Sequence, residues 1–190
     1  MKKLLFLFLM APAVMFNSCG GETKSDGKDG DSTVGTEEVD YTGMHEHDLS
    51  SNGLNTKIMV PELLSPTGEK LPVDIAKNED LLTWEITIGT EYHLIIEEVD
   101  GEGNYLQREK DRLKNDGVFV VEYIKEDANK MVYKASLPNE AGPRDYYHAF
   151  GVVKINNVEY IVKSFDMGEF SEVQAMDMYK SICSLIAMPA

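Results

Sequence analysis

Three groups of residues carry side chains that could do chemistry. Cys19 closes the stretch Phe16-Asn17-Ser18-Cys19, directly behind an apolar run. A thiol there is open to covalent modification, because the thiolate is the nucleophile. His45-Glu46-His47-Asp48 sets two imidazoles and two carboxylates within four residues, donors that suit a borderline ion such as Zn²⁺ or Cu²⁺. Asp145-Tyr146-Tyr147-His148 could seat a general base beside two phenols. Each group has a plainer counterpart. A structural metal site needs fixed ligands, and the segment around His45 and His47 is hydrophilic enough to read as tether. His148 alternates with Tyr146 and Phe150, and His93 with Ile95, the setting of strand histidines at a core or its rim. Nothing near Asp145, Tyr147 and His148 supplies a nucleophile. Cys183 lies in an apolar helical pattern without a flanking basic cluster and reads as a small buried hydrophobe.

Other chemistries lack their residues. The chain has no nucleophile elbow, no phosphate-cradling glycine loop and no histidine pair at zinc-protease spacing. Gly101-Glu102-Gly103 is a turn. Glu97 and Glu98 fall on opposite faces of a strand and cannot act as a carboxylate pair. Trp84 sits on an apolar strand face and reads as core. No cofactor is implied, and the balance points to a non-catalytic binding or assembly-accessory module. An enzyme working around Asp145, Tyr147 and His148 is the alternative.

The elements that must carry these residues begin with Met1–Cys19. Lys2 and Lys3 precede thirteen apolar residues, Leu4 to Phe16, and small or polar residues follow. This is the layout of a secretory signal peptide, and the run falls short of the roughly 20 residues that span a bilayer. Phe16-Asn17-Ser18-Cys19 resembles the lipobox of bacterial lipoproteins, in the looser form familiar among Bacteroidota. The resemblance implies cleavage just before Cys19, a diacylglyceryl group on its sulfur, and a further acyl chain such as palmitate on the new amino group. Two or more chains give stable attachment where one gives only reversible binding. The acids soon after Cys19 (Glu22, Asp26, Asp29, Asp31) look like a surface-export signal of the same lipoproteins. The implied location is therefore the outer membrane, with the cell surface as its extension.

Charge narrows the partners. The chain holds 18 basic and 33 acidic residues, net −15, and loss of Lys2 and Lys3 with the signal would leave −17. Such a balance repels phosphate backbones and anionic lipid surfaces. Nucleic acid is therefore not an expected partner. The expected partners are the membrane, through lipid on Cys19, and an envelope protein. With Cys19 lipidated, Cys183 has no partner, so the domain must be stable without a disulfide.

The chain divides into a signal peptide (1–18), a lipidated cysteine with an acidic disordered tether (19–50), and a single globular domain (51–190). Residues 20–50 are rich in Gly, Asp, Glu, Ser and Thr and cannot offset their ordering entropy. A flexible chain of that length spans roughly 30 Å.

In the domain, Lys57–Val60 is a short strand stopped by Pro61, and Leu63–Pro72 a loop. Leu82, Trp84, Ile86 and Ile88 alternate with polar residues, and Tyr92, Leu94 and Ile96 resume after Gly89-Thr90, which predicts a hairpin over 81–88 and 91–99. A helix is predicted from an Asn104 cap to about Asn115. Two further hairpins pair 118–121 with 131–137 and 146–155 with 158–165, the last through Asn156-Asn157. Gly151 marks a bulge or close packing. Ser171 and Gln174 form a capping box for a final helix with Val173, Met176, Tyr179, Ile182, Cys183 and Ile186 as its stripe.

The predicted class is α+β, a mainly antiparallel sheet of three hairpins covered by two helices. The element order over residues 54–187 is similar to the PsbP-like α-β-α sandwich: an early strand ending in Pro, a mid-chain helix, paired strands, then a C-terminal helix. Members of that group are mostly non-enzymatic binding or assembly factors.

Overall fold

Strict alternation builds the centre of the domain. In β4 (Thr83–Ile88) and β5 (Tyr92–Val99), Trp84 faces Ile96, Ile86 faces Leu94, and Ile88 faces Tyr92 across an antiparallel ladder. All six are buried, because period-2 spacing sends them to one side of the pleat. The computed structural model describes residues 39–101, 103–138 and 144–188. The expected signal peptide, Cys19 and the expected tether through residue 38 lie outside the described residues.

Seven strands form one antiparallel sheet in the order β3-β4-β5-β9-β8-β7-β6. Its remaining members are β3 (Asp74–Asn78), β6 (Val120–Glu126), β7 (Lys130–Leu137), β8 (Arg144–Ile155) and β9 (Val158–Ser164). Between β8 and β9, Asn156 and Asn157 both take positive φ, 50° and 67°, the backbone a two-residue turn demands. A second, three-stranded sheet orders β1 (Met44–Asp48), β2 (Thr56–Pro61) and β10 (Ile186–Ala187).

The two faces of the large sheet carry different helices. Met131, Tyr133 and Ala135 of β7 and Phe150 of β8 form one cluster with Leu106 and Leu113 of α1 (Tyr105–Asn115). The alternate residues, Val132 and Ala149, join Ala175, Met178, Tyr179 and Ile182 of α2 (Glu172–Ser184) in the main core. Gly151 lets α2 close on β8: a Cβ there would stand 2.5 Å from Ile182 Cγ2. A capping box starts α2, with Gln174 N–H donating to Ser171 Oγ and Ser171 N–H donating to Gln174 Oε1. The small sheet joins the same core through Ile58 and Val60, and Ser184 Oγ accepts the Met59 N–H at 2.8 Å.

Four expectations need correction. The domain begins before residue 51: Met44–Asp48 pair with β2, and Leu49 is fully buried. This segment reads as tether because its acids and histidines mask a strand that only its partner stabilises. Leu63–Pro72 is a loop as expected, pinned by one bridge between Leu64 and Lys70, but the strand that follows it, β3 from Asp74, is not among the expected strands. The final helix stops at Ser184, and Ile186 pairs with β2 instead of continuing the turn. Its buried face is also rotated, since Val173 is 70 % exposed while Ala175 and Met178 are buried.

Candidate functional site

The expected cluster at Asp145, Tyr147 and His148 does not converge. β8 is extended, so Tyr146 and His148 point to the α1 side while Asp145 and Tyr147 point away. Tyr147 packs against the main core. Asp145 accepts a hydrogen bond from Ser136 Oγ at 2.6 Å. His148 instead joins residues distant in sequence.

Those residues surround a cleft of about 400 Å³, within the range of small-molecule sites. β7 and β8 supply the floor: Tyr133, Ala135, Tyr146 and His148. Arg112, Leu113 and Asp116, at the end of α1, form one wall, and Phe119 and Val121 a second. The loop after β9 closes the rim with Asp166, Met167, Gly168 and Glu169. The cleft exists because α1 is only 11 residues long and leaves this end of the sheet uncovered.

His148 is held rigidly. Its Nδ1 lies 3.0 Å from Ser164 Oγ. Tyr133 stacks on it at 5.4 Å between centroids, and Phe170 meets it edge-on at 6.1 Å. The β8–β9 ladder stops at Phe150–Lys163, and Ser164 Oγ takes over by accepting the Ala149 N–H at 3.2 Å. Burial disfavours the imidazolium and pushes the His148 pKa below its usual value, with the Arg112 charge acting in the same direction against Asp166 and Glu109. The ring is therefore neutral at physiological pH.

Burial also raises the Tyr133 phenol, with Glu109 adding to the effect, while a hydrogen bond from Arg112 opposes it. Arg112 itself is occupied. Its Nε and Nη2 donate to the two Glu109 oxygens at 2.8 and 2.5 Å, a bidentate fork that satisfies both carboxylate oxygens. Phe119 packs edge to face on Tyr146 at 6.1 Å. Among the described lining residues there is no Ser, Thr, Cys or Lys. The cleft can enclose a flat apolar body and meet its polar end at the rim.

The remaining candidates fall elsewhere. His45 and His47 share one side of β1, because they are two residues apart on a strand. His45 Nε2 pairs with Glu62 Oε2 at 2.6 Å, and Lys70 pairs with the same carboxylate. Lys70, and His45 after it, hold the Glu62 carboxyl below its usual range against its partial burial. Burial lowers the His47 pKa, with His45 adding to it. No group of three or more His, Cys, Asp or Glu side chains that could hold a metal forms among the described residues. Cys183 is half-buried, and burial raises its thiol pKa. His93 stacks on Phe165 at 4.5 Å and faces Glu85 at 3.1 Å. Trp84 is buried, with its Nε1–H donating to the Asn52 carbonyl at 2.8 Å.

Sequence reasoning reached His148 and Tyr146 but not their other companions. Arg112, Tyr133 and Asp166 come from separate elements, and only the helix–sheet packing assembles them. The alternation of Phe119 with Val121 and of Tyr133 with Ala135 was the available signal for which side they share. No helix among the described residues is long and apolar enough to cross a membrane. No family model, curated protein or solved structure matches the chain.

Proposed function

We propose that this chain is a lipoprotein anchored by acyl chains on Cys19, and that its folded domain is a non-catalytic binding or assembly-accessory module of the cell envelope. The observation that carries the binding role is the cleft over β7 and β8, whose floor is aromatic and whose described lining residues offer no hydroxyl, thiol or amine nucleophile of the Ser, Thr, Cys or Lys kind. Its histidine is locked by Ser164, stacked between rings and held neutral. Such a group orients and recognises a ligand. The antiparallel sheet with α1 and α2 on opposite faces supports the finer reading as a PsbP-like sandwich, a group of mostly non-enzymatic factors.

Two experiments test these readings separately. The full-length protein should enter the detergent phase of a Triton X-114 split, and C19S should move it to the aqueous phase. Mass spectrometry finding a free thiol at residue 19 of the mature protein would refute the anchor. A photo-crosslinker at Met167, which is 80 % exposed at the cleft mouth, should trap one stoichiometric adduct in intact cells. An Ala135→Trp change, which fills the cleft, should abolish that adduct. An adduct indifferent to the filling would refute the cleft as the binding seat.

A further inference from the structure

The cleft has an uneven chemical lining. Its floor is built of rings, while its rim is acidic. Asp116, Asp166 and Glu169 are all exposed there. Arg112, the one cation among the described lining residues, is already forked onto Glu109. Lys163, just behind the rim, is tied to Asp166 at 2.7 Å. Two cations thus face four carboxylates.

At the cleft floor, His148 is 7 % exposed and has one ring nitrogen committed. Ser164 Oγ accepts the Ala149 N–H at 3.2 Å and donates its only proton to the Ala149 carbonyl at 3.4 Å. A hydroxyl has one proton and two lone pairs. With the hydroxyl proton placed on that carbonyl, the contact with His148 Nδ1 at 3.0 Å is a donation from Nδ1–H to the hydroxyl. That leaves Nε2 as a lone pair, and it makes no hydrogen bond among the described residues.

We propose that the cleft takes an amphipathic cation: a protonated amine carried on a flat apolar body. Resting on the reading of this cleft as the ligand seat, the inference assigns each part of the ligand a place. The body lies against Tyr133, Tyr146 and Phe119, whose faces carry negative quadrupole density that also attracts a cation. The ammonium donates to His148 Nε2 or to the rim carboxylates, groups that accept and have no surplus donor to offer an anion. An anionic ligand would meet in Arg112 a charge that Glu109 already offsets, and would approach a rim of its own sign. A second groove of about 410 Å³ between α1 and β6 shares Leu113, Phe119 and Val121 with this cleft. An extended body can therefore continue along the helix.

The test uses three indole probes of matched shape: tryptamine, 3-ethylindole and indole-3-propionate. Each is titrated into the full protein in detergent, followed by calorimetry and by shifts of the Tyr133, Tyr146 and His148 ring signals. Tryptamine should bind at least tenfold more tightly than indole-3-propionate. That preference should shrink severalfold in D166N/E169Q, and also in 1 M salt. Tighter binding of indole-3-propionate would overturn the charge assignment and leave the cleft standing as the seat. Absence of ring shifts with all three probes, in protein whose spectrum is folded, would overturn the cleft reading and this inference together. Long-range proton–nitrogen spectra give an independent readout. They should show the Nδ1–H tautomer of His148, and the Nε2–H tautomer would remove the acceptor on which the assignment stands.

Discussion

Replacing Ser164 by Ala is the sharpest probe of how the cleft floor is held. Ser164 is buried at the point where the β8–β9 ladder ends, and its one oxygen serves three groups: His148 Nδ1, the Ala149 N–H and the Ala149 carbonyl. Alanine preserves the space but takes this partner from all three. The carbonyl contact is the longest of the three at 3.4 Å, so the loss is worked from the other two. Each unsatisfied buried polar group costs about 1–3 kcal/mol, so Ala149 N–H and His148 Nδ1 together give a loss of about 2–6 kcal/mol. With a urea slope of about 2 kcal/mol/M for a protein of this size, the unfolding midpoint should fall by roughly 1–3 M. Equilibrium urea denaturation followed by Trp84 fluorescence measures it. A midpoint shift below about 0.3 M, or roughly 0.5 kcal/mol on the same slope, would refute the claim that Ser164 holds the histidine and substitutes for the missing ladder bond. The same variant should broaden the His148 ring signals, since the stack on Tyr133 alone does not fix its rotation.

The pH dependence of stability follows from the same ring. Burial holds the folded His148 pKa below the usual 6.5, so the unfolded chain takes up its proton first as pH falls. Stability should be full above pH 6.5, decline between there and the folded pKa, and level off below it; H148Q should flatten that limb. Gly151→Ala drives a methyl to 2.5 Å from Ile182 Cγ2 and should cost about 1–3 kcal/mol by overpacking. I182A should relieve part of that cost, so additivity in the double-mutant cycle would contradict the close-packing account. Ser171→Ala removes the hydroxyl that caps α2 and should cost about 1 kcal/mol by thermal unfolding. Tyr92→Phe deletes the 2.8 Å buried bond to Ser181 and should cost about 0.5–1.5 kcal/mol, less than S164A because Ser181 keeps its bond to the Asp177 carbonyl.

Local rules explain why parts of the fold could be read directly. Alternation in 83–88 and 92–96 specifies strands, since period 2 and burial on one face coincide. Asn156-Asn157 specifies a tight turn because few residues tolerate positive φ in succession. Ser171 and Gln174 announce a helix start because they satisfy each other's backbone donors. The strands that escaped notice are β1 and β3. Their sequences, MHEHD and DIAKN, carry acids and a Lys or His on positions that lie at sheet edges, where exposure permits charge. Neither could be stable without its neighbour. The apolar stripe of α2 misleads for a related reason. Two overlapping series at helical spacing run through residues 173–186, and only the approach permitted by Gly151 selects the face with Ala175, Met178 and Ile182.

The sequence by itself determined an acidic chain, an apolar run over Leu4–Phe16 ahead of Cys19, an α+β pattern and the absence of any contiguous catalytic motif. These properties are local, since they depend on composition, on spacing or on a few neighbouring residues. The tertiary structure alone decided the cleft. It turned His148 and Tyr146 to one face and Asp145 and Tyr147 to the other, then set Arg112 and Asp166 beside His148 from elements far away in the chain. Which side of a strand is buried depends on what packs there, and a helix of 11 residues that stops short of the sheet's end leaves room for a ligand that no run of residues announces.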